Sequence, residues 1–305
     1  DDRARYYDSG DGTTRQWDNV RSGLRPLVDR FGDETIESIT APAHAQLRDE
    51  WAYSGRLTRT TINKRLAYTV QLMRWCVERG LAHATRLVEL NAVERVKRGR
   101  YGVKADRVVQ APCQDQIELV MPHLPVAIRD LMWMLQLTGM RPGEGRIMRA
   151  CDLQLVTHQG HELLRYEPPQ HKTSYLGKRR RVFLIGDSRQ LAMRRISTLV
   201  GSSLFDPATD GYLFSPDGAG VRPYAINSIH QAVRRACDRA GVERWTPNQL
   251  RHYFATTRRT SRHQLQLISD ALGHSDIRTT GIYAHLEDEP LMDAAIALSG
   301  QAREA

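Results

Sequence analysis

The sequence predicts a mainly α fold with a small antiparallel β-sheet, divided between a helical N-terminal domain and a larger α+β C-terminal domain. Three observations predict it. Apolar residues recur at helical spacing within the first hundred positions, a basic and glycine-punctuated segment follows, and beyond it three short β-type runs sit among further helical stretches. A chain of 305 residues accommodates two ordinary domains. Hydrophobic residues make up 41% and charged residues 26%, which suits a packed core and argues against disorder.

The elements follow in order. Residues 14–31 predict a helix stopped by Gly32, and Leu66, Val70, Met73 and Val77 mark a second helix that ends before Gly80. The segment 94–107 carries Arg95, Lys97, Arg98, Arg100, Lys104 and Arg107 against only Glu94 and Asp106, with Gly99 and Gly102 between them, and reads as a linker. The expected boundaries are a helical domain at 1–100, a basic linker at 101–112 and a second domain at 113–305. Residues 126–137 are apolar nearly all round and predict a buried helix. Its end at Gly139 delivers Arg141 to the mouth of the core. Pro142 suits the first turn of a new helix, and Glu144 sits near that helix's positive end.

Residues 153–156, 163–166 and 182–185 read as strands, with a hairpin turn at His158-Gln159-Gly160 joining the first two and Lys172 in the connection before the third. Further helices are expected at 188–200, 226–240, 247–258, 263–272 and 290–298. The start of the helix at 247 is the best defined, because Thr246 and Gln249 have capping-box spacing and Pro247 takes the first helical position. Asn248, Arg251 and His252 then share one helix face, at i, i+3 and i+4.

Composition narrows the function. Lys plus Arg number 44 against 35 Asp plus Glu, a net charge of +9, which favours a polyanionic partner such as nucleic acid. Cys76, Cys113, Cys151 and Cys237 are scattered, with no CxxC pair, so neither a zinc ribbon nor a disulfide framework is expected, and reduced thiols in a cytoplasmic setting fit best. No apolar run reaches the length of a membrane span, and no signal peptide is visible. The first residue is Asp1 and not methionine, which leaves room for a further N-terminal module. His161-Glu162-Leu163-Leu164-Arg165 falls one residue short of a zincin motif and lies on an expected strand. His158, His161 and His171 are therefore read as surface histidines, and no metal or other cofactor is expected.

Phosphoryl chemistry suits the remaining polar residues. A phosphodiester attacked by an oxygen nucleophile gathers charge on its non-bridging oxygens, and arginine offers a planar fork of donors that stays protonated. Arg141 and Arg251, distant in sequence, are candidates to clamp one phosphate. A tyrosine needs help to become the nucleophile, because a phenol ordinarily titrates near pH 10, and the leaving oxygen needs a proton that a lysine can give.

The stretch Thr138-Gly139-Met140-Arg141-Pro142-Gly143-Glu144 resembles the first arginine box of the tyrosine recombinases, the phage-integrase family. Gln249-Leu250-Arg251-His252-Tyr253-Phe254-Ala255-Thr256 resembles the second, and Leu272-Gly273-His274 with Thr280-Gly281-Ile282-Tyr283 resembles the third box and the nucleophile segment. The resemblance spans residues 114–298 and implies a catalytic domain that cuts and rejoins DNA without metal or ATP. It implies that Tyr283 attacks the scissile phosphate to give a 3′-phosphotyrosyl bond, that Arg141, Arg251 and His274 hold that phosphate, and that Lys172 protonates the leaving 5′-oxygen, with Lys178 as a competitor. Glu144 is expected to buttress the first box. Most relatives carry histidine three residues before the second arginine, and here that position is Asn248, expected to donate a hydrogen bond to phosphate. His252 and His274 are candidates to take the tyrosine proton, although His252 is the more structural of the two.

The helical domain weakly resembles the family's core-binding domain. Arg59, Asn63, Lys64 and Arg65 at a helix start, and Lys97, Arg98, Arg100 and Lys104 in the linker, are expected to meet phosphates or base edges, so that binding falls steeply with salt. The family further implies double-stranded DNA recombination sites as partners and a homotetramer on DNA, with a free protein able to be monomeric and with residues 290–298 as an exchange segment. Two alternatives stand beside this one: a type IB topoisomerase with the same chemistry, and a DNA-binding regulator that kept the fold and lost activity, for which Asn248 is the only support.

Overall fold

The computed structural model describes residues 15–106, 110–171, 179–200, 211–257 and 272. The chain forms two compact units, residues 1–108 and 109–305. The first unit contains helices α1 (Arg15–Phe31), α2 (Ala41–Tyr53), α3 (Arg59–Glu78) and α4 (Ala84–Ala92) among its described residues. Side chains cap three of these helices: Thr40 Oγ1 accepts from the Ala43 amide, Thr58 Oγ1 from Thr61, and His83 Nδ1 from Thr85, all at 3.3 Å. The expected stripe on α3 faces inward, with Leu66 and Met73 buried. Met73 packs with Leu27, Ile39, Leu47 and Leu90 into one cluster, while Leu66 joins Ala52, Ile62 and Val96 in another. Helix α1 approaches α3 closely at Gly23, where a Cβ would stand 2.6 Å from the Tyr68 ring.

Residues 94–106, expected as a linker, are folded onto this first unit. Val96 is buried in the second cluster, and the Asn63 side chain satisfies both of its backbone groups, donating to the Val96 carbonyl at 3.1 Å and accepting from its amide at 2.9 Å. Lys104 forms a parallel bridge with Thr58, and Asp106 accepts from the Thr60 amide and pairs with Arg59 at 3.3 Å. The basic composition describes the outer face of the segment. Buried Val96, with Tyr101 and Val103 packed against the same cluster and the Asn63 bonds to the Val96 backbone, fixes the segment in place.

The second unit contains α5 (Gln114–Val120), α6 (Val126–Thr138), α7 (Pro142–Arg146), strands β1 (Leu153–His158), β2 (His161–Tyr166) and β3 (Val182–Leu184), then α8 (Asp187–Val200), α9 (Ile226–Ala240) and α10 (Pro247–Thr257). The mainly helical fold with one small antiparallel sheet agrees with the sequence. The strands lie in the order β1-β2-β3, with Leu155 opposite Leu164 and Tyr166 opposite Val182. Gln159 and Gly160 both have positive φ, +48° and +77°, as a two-residue hairpin turn requires. Helix α6 is the centre of the core. Ile128, Leu131, Met132, Met134 and Leu135 pack with Tyr166 and Leu184 of the sheet and with Ile229, Val233 and Leu250 of α9 and α10. The expected helices at 263–272 and 290–298 lie outside the described residues, apart from Leu272. Among the described residues, no helix is long and apolar enough to cross a membrane.

Candidate active site

The site is built where α6 ends. Gly139 closes the helix with φ +64°, and its amide bonds back to the Leu135 carbonyl at 2.9 Å. Glycine is required here twice over: the backbone is left-handed, and a Cβ would lie 2.5 Å from the Phe254 ring and 2.9 Å from Leu272. The chain therefore turns against α10 and emerges at Arg141, the N-cap of α7, with Pro142 at the first helical position as expected. Glu144, three residues on, reaches back to the Arg141 amide at 3.1 Å and binds the Arg141 guanidinium at 2.8 Å. Glu144 is 2% exposed, whereas the Arg141 side chain is 26% exposed. The carboxylate sits inside and the guanidinium at the rim.

Helix α10 brings the second arginine to the same turn. Its start is stabilised by half of the expected capping box. The Thr246 amide donates to Gln249 Oε1 at 2.8 Å, while the Thr246 hydroxyl donates to that same oxygen at 3.0 Å, where a full capping box would have it accept from the Gln249 amide. Arg251 is buried on the inner face. Its Nη1 donates to the Gly139 carbonyl at 2.9 Å and its Nη2 to the Leu272 carbonyl at 2.7 Å. Arg251 is thus fastened to the backbone two residues before Arg141 and two residues before His274 in sequence. Tyr253, on the same helix, donates to Gln114 Oε1 at 2.6 Å, and Gln136 donates to that oxygen at 2.8 Å, which ties α10 to α5 and α6.

Asn248 is exposed at the start of α10, one turn before Arg251. His252 is half-buried; burial first, and then the Arg251 charge, lower its pKa below the ordinary 6.5, so the imidazole is neutral near pH 7. Lys172, Lys178, His274 and Tyr283 lie outside the described residues, as does Arg107.

Two further residues belong to this cluster and were not singled out in the sequence. Tyr166, fully buried at the end of β2, donates its hydroxyl to the Glu144 carbonyl at 2.8 Å. Arg180, immediately before β3, is 6% exposed and places Nε 3.6 Å from Glu144 Oε2. One buried carboxylate thus faces two guanidiniums. Burial alone would raise the Glu144 pKa, but hydrogen bonding from Arg141 and the charges of Arg180 and Arg141 outweigh it and hold the group below its ordinary value. Arg179-Arg180-Arg181 reads as a surface charge run. The signal for Arg180 was its phase: it falls two residues before Val182 and four before Leu184, both inward-facing.

The expected DNA-contact residues all lie in the first unit. Arg59 pairs with Asp106 at 3.3 Å and Lys97 pairs with Glu94. Lys64 lies over the Tyr68 ring at 5.7 Å and Arg65 over Trp51 at 5.4 Å. Arg98, Arg100 and Lys104 are exposed. The Asn63 amide serves Val96, a structural use where a DNA contact was expected.

Comparison with known proteins gives these residues a context. The model of the phage integrase family matches residues 111–289. The tyrosine recombinase XerC of Corynebacterium glutamicum is 27% identical over 282 residues, covering 90% of this chain and 82% of that protein. Among solved structures, the Tn1549 transposon integrase in complex with transposon right end DNA has a TM-score of 0.66 at 17% identity, covering 98% of this chain and 97% of that one. A lambda integrase tetramer bound to a Holliday junction has a TM-score of 0.63 at 14% identity, covering 89% of this chain and 72% of that one.

Proposed function

The chain belongs to the phage integrase family of tyrosine recombinases, enzymes that break and rejoin DNA, and from that premise we propose that it is a site-specific recombinase acting through a 3′-phosphotyrosine. Tyr283 attacks the scissile phosphorus and displaces the 5′-oxygen. The phosphodiester is exchanged for a phosphotyrosyl ester of similar energy, so rejoining by a new 5′-hydroxyl needs no ATP. Arg141 and Arg251 bind the non-bridging oxygens and stabilise the charge that builds there. His274 joins them, Lys172 protonates the leaving oxygen, and Asn248 supplies a neutral donor to the phosphate.

The observation that carries this reading is the bond from Arg251 to the Gly139 carbonyl at 2.9 Å. It holds the second arginine against the turn that presents the first, although 110 positions separate them in sequence. Arg141 emerges from the N-cap of α7 and Arg251 from the second turn of α10, which suits a preorganised anion site. The lambda integrase tetramer on a Holliday junction supports a synaptic tetramer for this chain as well. The first unit, with its exposed Arg98, Arg100 and Lys104, would add phosphate contacts.

The test selects the DNA site and does not presuppose it. A pool of nicked duplexes with randomised cores is incubated with the full chain, protein-linked strands are recovered under denaturing conditions, and they are sequenced. Recovery of a defined core that depends on Tyr283, and strand exchange between two copies of that core, are expected. Recovery independent of Tyr283, or relaxation of supercoils with no strand exchange, would overturn the recombinase reading.

A further inference from the structure

Three charged groups, Arg141, Glu144 and Arg180, form a row that runs from the rim of the site into the core. Arg141 is partly exposed and holds the Glu144 carboxylate at 2.8 Å. Glu144 and Arg180 are both buried, their side chains 2% and 5% exposed and 3.6 Å apart, beyond hydrogen-bond length. The Arg180 Nη1 donates to the Arg181 carbonyl at 3.2 Å. Its Nε and Nη2 have no hydrogen-bond partner among the described residues. A buried guanidinium with two idle donors, aimed at a carboxylate already engaged by another arginine, is an expensive arrangement for stability alone. It calls for a state in which those donors are used.

The proposed reaction supplies that state. On the reading given above, Arg141 binds the scissile phosphate, and drawing its guanidinium outward to the phosphate loosens its hold on Glu144. A buried carboxylate stripped of its partner is strongly disfavoured. We propose that Arg180 is a positioning residue that takes over the Glu144 carboxylate when Arg141 turns to the phosphate. Closing the gap from 3.6 Å to hydrogen-bond distance needs a shift of less than 1 Å. Arg180 thereby keeps Glu144 neutralised in both states and lowers the penalty for releasing Arg141. It touches neither the DNA nor the nucleophile, and it acts only through Glu144.

A double-substitution cycle tests this on the duplex recovered from the randomised pool. Single-turnover adduct formation and DNA affinity are measured for wild type, R180M, E144Q and R180M/E144Q, with R180K as the variant that keeps the charge. R180M is expected to slow adduct formation by about tenfold or more while the Kd changes less than about threefold, and R180K to stay within about threefold of wild type. In the E144Q background no buried carboxylate is left for Arg180 to neutralise, so adding R180M is expected to change the rate by less than about twofold. Equal slowing in both Glu144 backgrounds, or wild-type speed for R180M, overturns the inference. If R180M fails to fold, R180Q replaces it in the same cycle, since it keeps polar atoms and removes the charge. A wild-type chain that forms no adduct at all with Tyr283 intact counts against the active-site reading, and this inference falls with it. A reactive wild type with an additive cycle counts against the role of Arg180 alone.

Discussion

Replacing Gly139 with alanine should damage both the fold and the site, by an amount that follows from the geometry. The residue sits at φ +64°, and placing an L side chain there costs about 1 kcal/mol. The new methyl group would stand 2.5 and 2.8 Å from two atoms of the Phe254 ring and 2.9 Å from Leu272. Relieving that overlap in a packed core adds about 1–3 kcal/mol. The reduced freedom of the unfolded chain returns roughly 0.5 kcal/mol. The net expectation is a loss of about 1.5–3.5 kcal/mol. Gly143, four residues on, is the internal control. No heavy atom lies within 4 Å of its would-be Cβ and its φ is ordinary, so alanine there should stabilise the helix start by up to about 1 kcal/mol. Gly145 falls between them, because its Cβ would meet only the ends of Leu131 and Leu135, at 2.9 and 3.0 Å, and Met140. The assay is urea unfolding of the full chain, read by hydrogen exchange in peptides from α6 and α10. The expected order of stability is Gly143→Ala, wild type, Gly145→Ala, Gly139→Ala. Because the Gly139 carbonyl receives Arg251, Gly139→Ala should also slow adduct formation. A Gly139→Ala protein as stable as wild type would refute the close approach of α10 to this turn.

Three further outcomes are expected. Asn248→Ala should slow cleavage while leaving DNA affinity nearly intact, and a fully active variant would make the position structural. Tyr166→Phe removes a buried hydrogen bond to the Glu144 carbonyl and should cost about 1–2 kcal/mol in denaturant unfolding, since the acceptor is left unpaired; no loss would place that carbonyl in contact with another donor. His44 is 1% exposed, neither ring nitrogen has a hydrogen-bond partner among the described residues, and burial with the nearby Arg48 charge lowers its pKa from 6.5 to about 4. The unfolded chain therefore takes up this proton first as the pH falls. The stability that His44 confers is complete above about pH 6.5 and is lost progressively down to about pH 4, a span worth roughly 3 kcal/mol. Exchange protection of α2 and α3 should fall accordingly, and His44→Leu should flatten the profile; an unchanged profile would mean that His44 is solvated.

The parts of this fold that were legible in the sequence are those set by local chemistry. Helix α6 announced itself by apolar residues on every face, the first hairpin by Gln159-Gly160, and the start of α10 by Thr246-Pro247 with Gln249. The arginine boxes were read through their resemblance to the family's; Gly139, Pro142 and Glu144 added local turn and helix-start signals, whereas the carbonyls that hold Arg251, those of Gly139 and Leu272, are distant in sequence. What was missed depends on partners distant in sequence. Helix α2 has a local start signal in the Thr40 cap and Pro42, but it carries His44, Arg48, Asp49 and Glu50 with little apolar periodicity, so its inner face is defined by packing on α3 and α4. The segment 94–106 looked like a free linker because the groups that hold it are distant in sequence: Asn63 holds Val96 from 33 positions away, and Thr60 and Arg59 hold Asp106. Arg180 looked like one of three surface arginines, and its burial is settled by the strand phase and by Glu144. Composition describes what a segment shows to water, but contacts such as these decide what it is attached to.

The account rests most directly on which atom of the protein becomes bonded to DNA, and at which end of the strand. Mass spectrometry of the denatured, protease-digested adduct answers both. A peptide containing Tyr283, carrying nucleotides through a 3′-phosphate with a free 5′-hydroxyl on the other strand end, is the predicted result. A linkage to any other residue, or to a 5′-phosphate, would contradict it.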